Sequence, residues 1–177
     1  MHQMSAPIQS QTRRTLLFGG IMSALPLWGW AATNPLWLDV QRAGERYRMN
    51  LLQSDGYKAA AWMLRDVQAD NTVGQPDTHL LLRLALLQRW VAEHYGYCVF
   101  DITSGLRMPN TNAATEGAAH QSRHLPGPSL RFRAVDFIPR GVDLSKVHTL
   151  ALHMPQSGVG LYDEHLHLDV RPQSARW

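Results

Sequence analysis

The stretch Asp163-Glu164-His165-Leu166-His167-Leu168-Asp169-Val170 gathers groups that bind metals or move protons into a short length of chain. In an extended backbone, a period of two sets Asp163, His165, His167 and Asp169 on one face and Leu166, Leu168 and Val170 on the other. Titratable groups aligned in this way either hydrate one another at a surface or converge on a cation. Two earlier positions extend the chemistry. Asp136 shares a predicted strand face with Ala134 and Ile138, and a carboxylate among apolar neighbours needs a partner. His124 lies in a long segment rich in Pro, Asn, Ala, Ser and Gly between Met108 and Pro128, the kind of irregular region that tends to carry function.

His124, Asp136 and His167 are the strongest candidate ligands. Two imidazoles and one carboxylate suit zinc with a fourth position left for water, the arrangement of a catalytic rather than a structural site. Such a site hydrolyses, and a base must pass a proton to the leaving group. His165, two residues before His167, shares its face on a regular strand; Glu164, three before, reaches the site only if the chain bends. His165 is the narrow favourite. Asp169 is placed either to orient an imidazole from behind or to be a plain surface carboxylate. Arg107 leaves a predicted strand toward the loop region and could hold a carboxylate or an oxyanion.

The elements that must position these groups follow from pattern. Leu36–Gln41 and Glu45–Leu51 flank Arg42-Ala43-Gly44 as a hairpin. A helix is predicted from about Gly56 through Leu64 and Val67, broken between Asn71 and Pro76. Asp77 caps a second helix with the stripe Leu80, Leu81, Leu84, Leu87 and Val91, with Arg83 and Gln88 outside it, ending near Gly96. Tyr97–Ile102 reads as a buried strand and Arg131–Ile138 as another, ended by Pro139 and Gly141. Asp143 caps a helix from Leu144 to about Met154, in which His148 and His153 share no face. Gly158–Tyr162 then leads into the last strand. Strands and helices mixed without a βαβ rhythm argue for α+β.

Composition narrows the function classes. The 177 residues are 45% hydrophobic and 18% charged, enough for one domain with a real core. Residues 1–32 read as an export leader, with Arg13-Arg14 before Leu16-Leu17-Phe18, an apolar run and Ala31-Ala32 at its exit. The paired arginines suggest the twin-arginine route to the periplasm. The apolar run, interrupted by Gly19, Gly20 and Pro26, is too short for a typical span, so no stable membrane anchor is expected after processing. The domain is then 33–177. Losing Arg13 and Arg14 takes the formal charge from +3 to +1, which does not suit a nucleic-acid binder. Cys98 is the single cysteine, so no intramolecular disulfide forms, and its apolar context predicts burial.

Ser104-Gly105-Leu106-Arg107, Thr111-Asn112, Ser122-Arg123-His124 with Gly127, Ala134-Val135-Asp136-Phe137, Gly158-Val159-Gly160-Leu161-Tyr162, His167-Leu168-Asp169 and Arg176-Trp177 occur in an order that resembles the murein endopeptidase K family. That family is a periplasmic branch of the D-Ala-D-Ala metallopeptidases, related to lysostaphin-type enzymes and the hedgehog fold. The resemblance implies a small antiparallel sheet carrying a zinc site, with helices packed on one side. It also implies hydrolysis of peptide crosslinks in peptidoglycan, with stem peptides as substrate. On this likeness His124, Asp136 and His167 are the zinc ligands, Arg107 steadies the scissile carbonyl, and Ser122 sits near the peptide. The gap from His124 to Asp136 is longer than the family's, with extra residues around Pro128–Phe132, and His120 is the alternative first ligand. The alternatives in function are a D,D- or L,D-carboxypeptidase on stem peptides and a non-catalytic, zinc-containing wall-binding protein.

Overall fold

In the computed structural model, residues 35–177 are described; the predicted leader lies outside them. Trp37–Arg42 (β1) and Glu45–Asn50 (β2) pair antiparallel about Ala43-Gly44, whose φ values are 50° and 85°. Positive φ at both central residues is the hairpin turn whose twist matches its strands. Helix α1 follows at Ser54–Met63. It stops at Met63 rather than running on through Val67. Two buried charges end it: the Arg42 guanidinium donates to the carbonyls of Met63 (3.1 Å) and Arg65 (2.5 Å), and Asp66 accepts the N–H groups of Gln68 and Ala69. Val67 is left exposed.

Gln75–Pro76 (β3) precedes α2, Thr78–Tyr95, which begins as predicted with the Asp77 carboxylate accepting from the His79 N–H at 2.9 Å. One expectation fails here. Gln88 lies outside the leucine stripe by pattern yet is buried, because its amide bridges backbone groups of β1 and of the residue just before the strand that starts at Val99: Oε1 accepts from Asp39 N–H, and Nε2 donates to the carbonyls of Asp39 and Cys98. A buried backbone group left unpaired is costly, so a long polar side chain replaces a leucine there.

The remaining elements are β4 (Val99–Ser104), α3 (Pro109–Ala114), β5 (Arg131–Phe132), β6 (Ala134–Arg140), α4 (Leu144–Ala151), β7 (Ser157–Leu161), β8 (Leu166–Val170) and β9 (Ala175–Arg176). Among the described residues, seven strands form one sheet in the order β2-β1-β4-β6-β8-β7-β9, and β3 pairs separately with β5. The sheet is larger than predicted and not wholly antiparallel, since β1–β4 and β7–β9 run parallel. Pro139 does not end β6: the strand continues to Arg140, beyond the last residue paired with β8, where a missing N–H costs little. Among the described residues no helix is long and apolar enough to cross a membrane.

Helices α2 and α4 set Leu80, Leu84, Leu87, Val91, Val147 and Ala151 against Phe100, Phe137, Val159, Leu166 and Leu168 on one face of the sheet. Cys98 joins this core, and burial pushes its thiol up to about 11. The other face of the central strands carries the polar groups.

Candidate metal centre

Register places the site. Ser104 of β4 lies opposite Asp136 of β6, Asp136 opposite His167 of β8, and His167 opposite Gly160 of β7. Paired residues project from the same face, so one row crosses four strands. Ser104 joins the row because β4 carries an extra residue: Ile102 pairs with Phe137 on the apolar face, and the register shifts before Ser104. The bulge re-aims one side chain toward the polar face.

His124 arrives from the loop after α3. Its N–H donates to Ser122 Oγ at 3.3 Å, and its carbonyl accepts from Arg107 N–H at 3.0 Å. The residues that lengthen this segment fold aside. Pro128–Leu130 make a 3₁₀ turn, Arg131–Phe132 pair with β3, and Gly127 N–H closes the excursion on the Arg131 carbonyl at 2.7 Å. His124 therefore meets Asp136 despite the spacing.

His124 Nε2 lies 3.3 Å from Asp136 Oδ1 and 3.3 Å from His167 Nδ1, and His167 Nδ1 lies 2.7 Å from Asp136 Oδ1. One donor atom from each of the three falls within 4.8 Å of the others, a group able to hold a metal ion. His120 is exposed and outside this group. Each imidazole is also held from behind. His124 Nδ1 donates to the Gly105 carbonyl at 2.6 Å, which leaves the lone pair on Nε2, and His167 Nε2 is 3.0 Å from Asp169 Oδ2. Outer partners of this kind set the tautomer and the ring plane of a ligand.

Residues 57–169, more than half of the chain, match the family model of peptidase M15. The chain belongs to the M15 peptidase family. No curated protein and no solved structure matches it significantly. M15 peptidases are zinc-dependent metallopeptidases, and the donor set of this M15 chain, two imidazoles and a carboxylate, suits that ion.

The electrostatics agree with a cation site. Burial disfavours charge on His124 and lowers its pKa. Burial alone would raise Asp136, but His124 and His167, by charge and hydrogen bond, hold its carboxyl well below the usual range. Burial also opposes charge on His167, and the hydrogen bonds and charges of Asp136 and Asp169 outweigh it and raise its pKa. A ring between two carboxylates holds its proton more firmly, and any cation binding at Nδ1 would compete with that proton.

Around this M15 cluster the motif fragments find their uses. Arg107 donates from Nε to Ser104 Oγ at 2.7 Å and from Nη2 to Asp136 Oδ2, fixing the carboxylate from its outer side. Gly105 packs so closely on the backbone of Leu64 that a Cβ would overlap it, which brings the Gly105 carbonyl to His124. Asp169 is buried rather than at the surface; it accepts from Gly158 N–H at 3.0 Å and pairs with Arg171, which offsets the cost of its burial. Arg176 ties the chain end to the carbonyls of Ser157, Leu152 and Met154. Ser122 shapes the turn that presents His124 and does not line the cavity beside Asp136.

Both candidate bases lie before β8, in a bend, so the predicted strand face retains only His167 and Asp169. The strand cannot begin earlier because Tyr162 N–H bonds the His165 carbonyl at 3.0 Å, closing a tight turn. This turn does what the bend postulated for Glu164 would do: Glu164 and His165 line one cavity of about 310 Å³ together with Asp136, Ser104 and Arg107. His165 is half-buried and stacks on Tyr162, with ring centroids 4.5 Å apart and planes 6° apart, whereas Glu164 is exposed. Trp177 Nε1 donates to the Tyr162 hydroxyl at 2.9 Å, and its ring lies 5.3 Å from that of His167.

Ser104, Gly105, Tyr162, Arg171 and Trp177 take individual roles here that no local sequence pattern assigns to them. The signal for the last lies elsewhere in the chain: Gly158 and Gly160, two apart in a strand, leave one face bare for something to cover. A Cβ on Gly160 would overlap the Trp177 indole. Gly160→Ala is therefore expected to displace that ring and lower stability by about 0.5–1 kcal/mol, less than core overpacking costs because Trp177 is 47% exposed and can swing outward. Thermal melting together with a change in intrinsic fluorescence checks this; an unchanged melting temperature and spectrum would show the indole is not seated there.

Proposed function

We propose that this M15 protein is an exported zinc peptidase that hydrolyses peptide crosslinks in peptidoglycan. The observation that carries this reading is the convergence of His124, Asp136 and His167 from a loop and two strands, beside a cavity lined by Arg107 and two candidate bases. The Arg13-Arg14 leader supports a periplasmic location, where such a substrate is found.

His124 Nε2, Asp136 Oδ1 and His167 Nδ1 would hold the metal. Zinc at this position would acidify a water and polarise the scissile carbonyl. His165, steadied by Tyr162, takes the proton of the attacking water and delivers it to the leaving amine; Glu164 is the alternative base. Arg107 keeps Asp136 in its ligating orientation through Nη2 and lines the cavity where the carbonyl oxygen must lie, a placement suited to charge developing on that oxygen. Asp169 fixes the His167 ring.

Purified sacculi incubated with zinc-loaded protein test the proposal. The expected result is metal-dependent release of monomeric muropeptides. Release of single terminal amino acids from uncrosslinked stems would make it a carboxypeptidase, and sacculi that bind the protein but remain unchanged would make it a wall-binding protein.

A further inference from the structure

The same cavity has a further stretch of lining that the chemistry above does not use. Arg42, the last residue of β1, lines it with Asp66, Gln68 and Thr103, the last two exposed at the surface. Its side chain is buried, with the residue only 7% exposed. All its direct hydrogen bonds go to neutral carbonyls: Met63 at 3.1 Å, Arg65 at 2.5 Å and Thr103 at 3.5 Å. Among the described residues no carboxylate forms an ion pair with it. The nearest anion by influence, Asp66, spends its oxygens on the backbone N–H groups of Gln68, Ala69 and Met108. Arg65, of the same sign, pairs with Glu45 instead. Burial, then Arg65, brings the Arg42 pKa down to about 10, with Asp66 opposing. A guanidinium out of water without a counterion is costly unless something else supplies the charge.

We infer that Arg42 is the anchor of a carboxylate subsite: a substrate carboxylate held in the cavity that Arg42 shares with Arg107 docks on the buried guanidinium. The inference rests on the peptidase reading, since it is the peptide that brings the carboxylate. Arg42 has N–H donors left over after its carbonyl contacts, and a planar fork accepts a carboxylate with two bonds. Thr103 and Gln68 beside it supply further polar groups. The docked group is either the C-terminal carboxylate of a stem peptide or the carboxylate of a crosslinking residue beside the scissile bond. Both present the same anion to the same arginine.

Calorimetric titration separates these sources. A crosslinked peptide dimer is compared with two derivatives, one amidated at its chain terminus and one amidated at the carboxylate beside the crosslink. Against the wild-type protein, one of the two amides is expected to bind about tenfold more weakly, the loss of a charge-assisted contact. The amide that loses affinity identifies the docked group. In Arg42→Gln that discrimination should vanish, and in Arg42→Lys part of it should return. Equal affinity of wild-type protein for all three ligands overturns the inference, as does discrimination that persists in Arg42→Gln. Should Arg42→Gln fail to fold once Met63 and Arg65 lose their donor, Arg42→Lys, which keeps a donor for those carbonyls, carries the comparison, and discrimination undiminished in it overturns the inference. Cleavage is followed separately. Selective binding without cleavage would sink the hydrolase reading and leave the subsite standing, and cleavage without selectivity would do the reverse.

Discussion

His167→Ala should fold and should purify with less than about a tenth of an equivalent of zinc, with turnover reduced about 10³-fold or more, because a three-residue site seldom survives loss of a ligand. The expectation that it folds is physical. His167 stands between two buried carboxylates, and deleting the ring would leave both unpaired if nothing else held them. Asp136 keeps Arg107 and Asp169 keeps Arg171, so each retains a cation. Elemental analysis of dialysed protein beside a melting curve decides the matter. A variant that keeps stoichiometric zinc would remove His167 from the ligand set and with it the centre described above.

The second large effect belongs to His165. His165→Ala is expected to keep its zinc and lose turnover by about 10² to 10⁴, the range associated with a positioned acid–base group. Its ring lies outside the cluster of three and rests on Tyr162, so its removal disturbs no donor atom. Glu164→Gln, made alongside, should lose far less, since Glu164 is exposed at the cavity and is not stacked. Zinc content and steady-state rates on the same preparations separate the roles. Equal zinc loss in His165→Ala and His167→Ala would make His165 a ligand, and a collapse of turnover in Glu164→Gln alone would transfer the base to that carboxylate.

The cluster of His124, Asp136 and His167 was legible in this chain because few residue types can bind a metal, and because a period of two in His167-Leu168-Asp169 and Ala134-Val135-Asp136 assigns faces without any knowledge of partners. The capped starts of α2 and α4, the hairpin and the buried cysteine were legible for the same reason: each depends on neighbours a few residues away. Everything that required two distant segments to touch was settled by the tertiary structure. The segment between His124 and Asp136 is long by count, yet its excess is paired off against β3, and no local pattern could show that a two-residue strand far upstream would receive it. Gln88 looks like a surface residue on a helical wheel and is buried because a gap in backbone pairing between β1 and β4 lies beneath it. Ser104 faces the site through a bulge, and Trp177 covers His167 because Gly160, paired with His167 on the neighbouring strand, has no side chain. Arg42 reads as one residue of a turn, and only packing reveals a charge enclosed without a counterion. Local periodicity follows from backbone geometry, which each residue carries with it, whereas burial and charge compensation belong to the assembled surface and exist only after the chain has closed on itself.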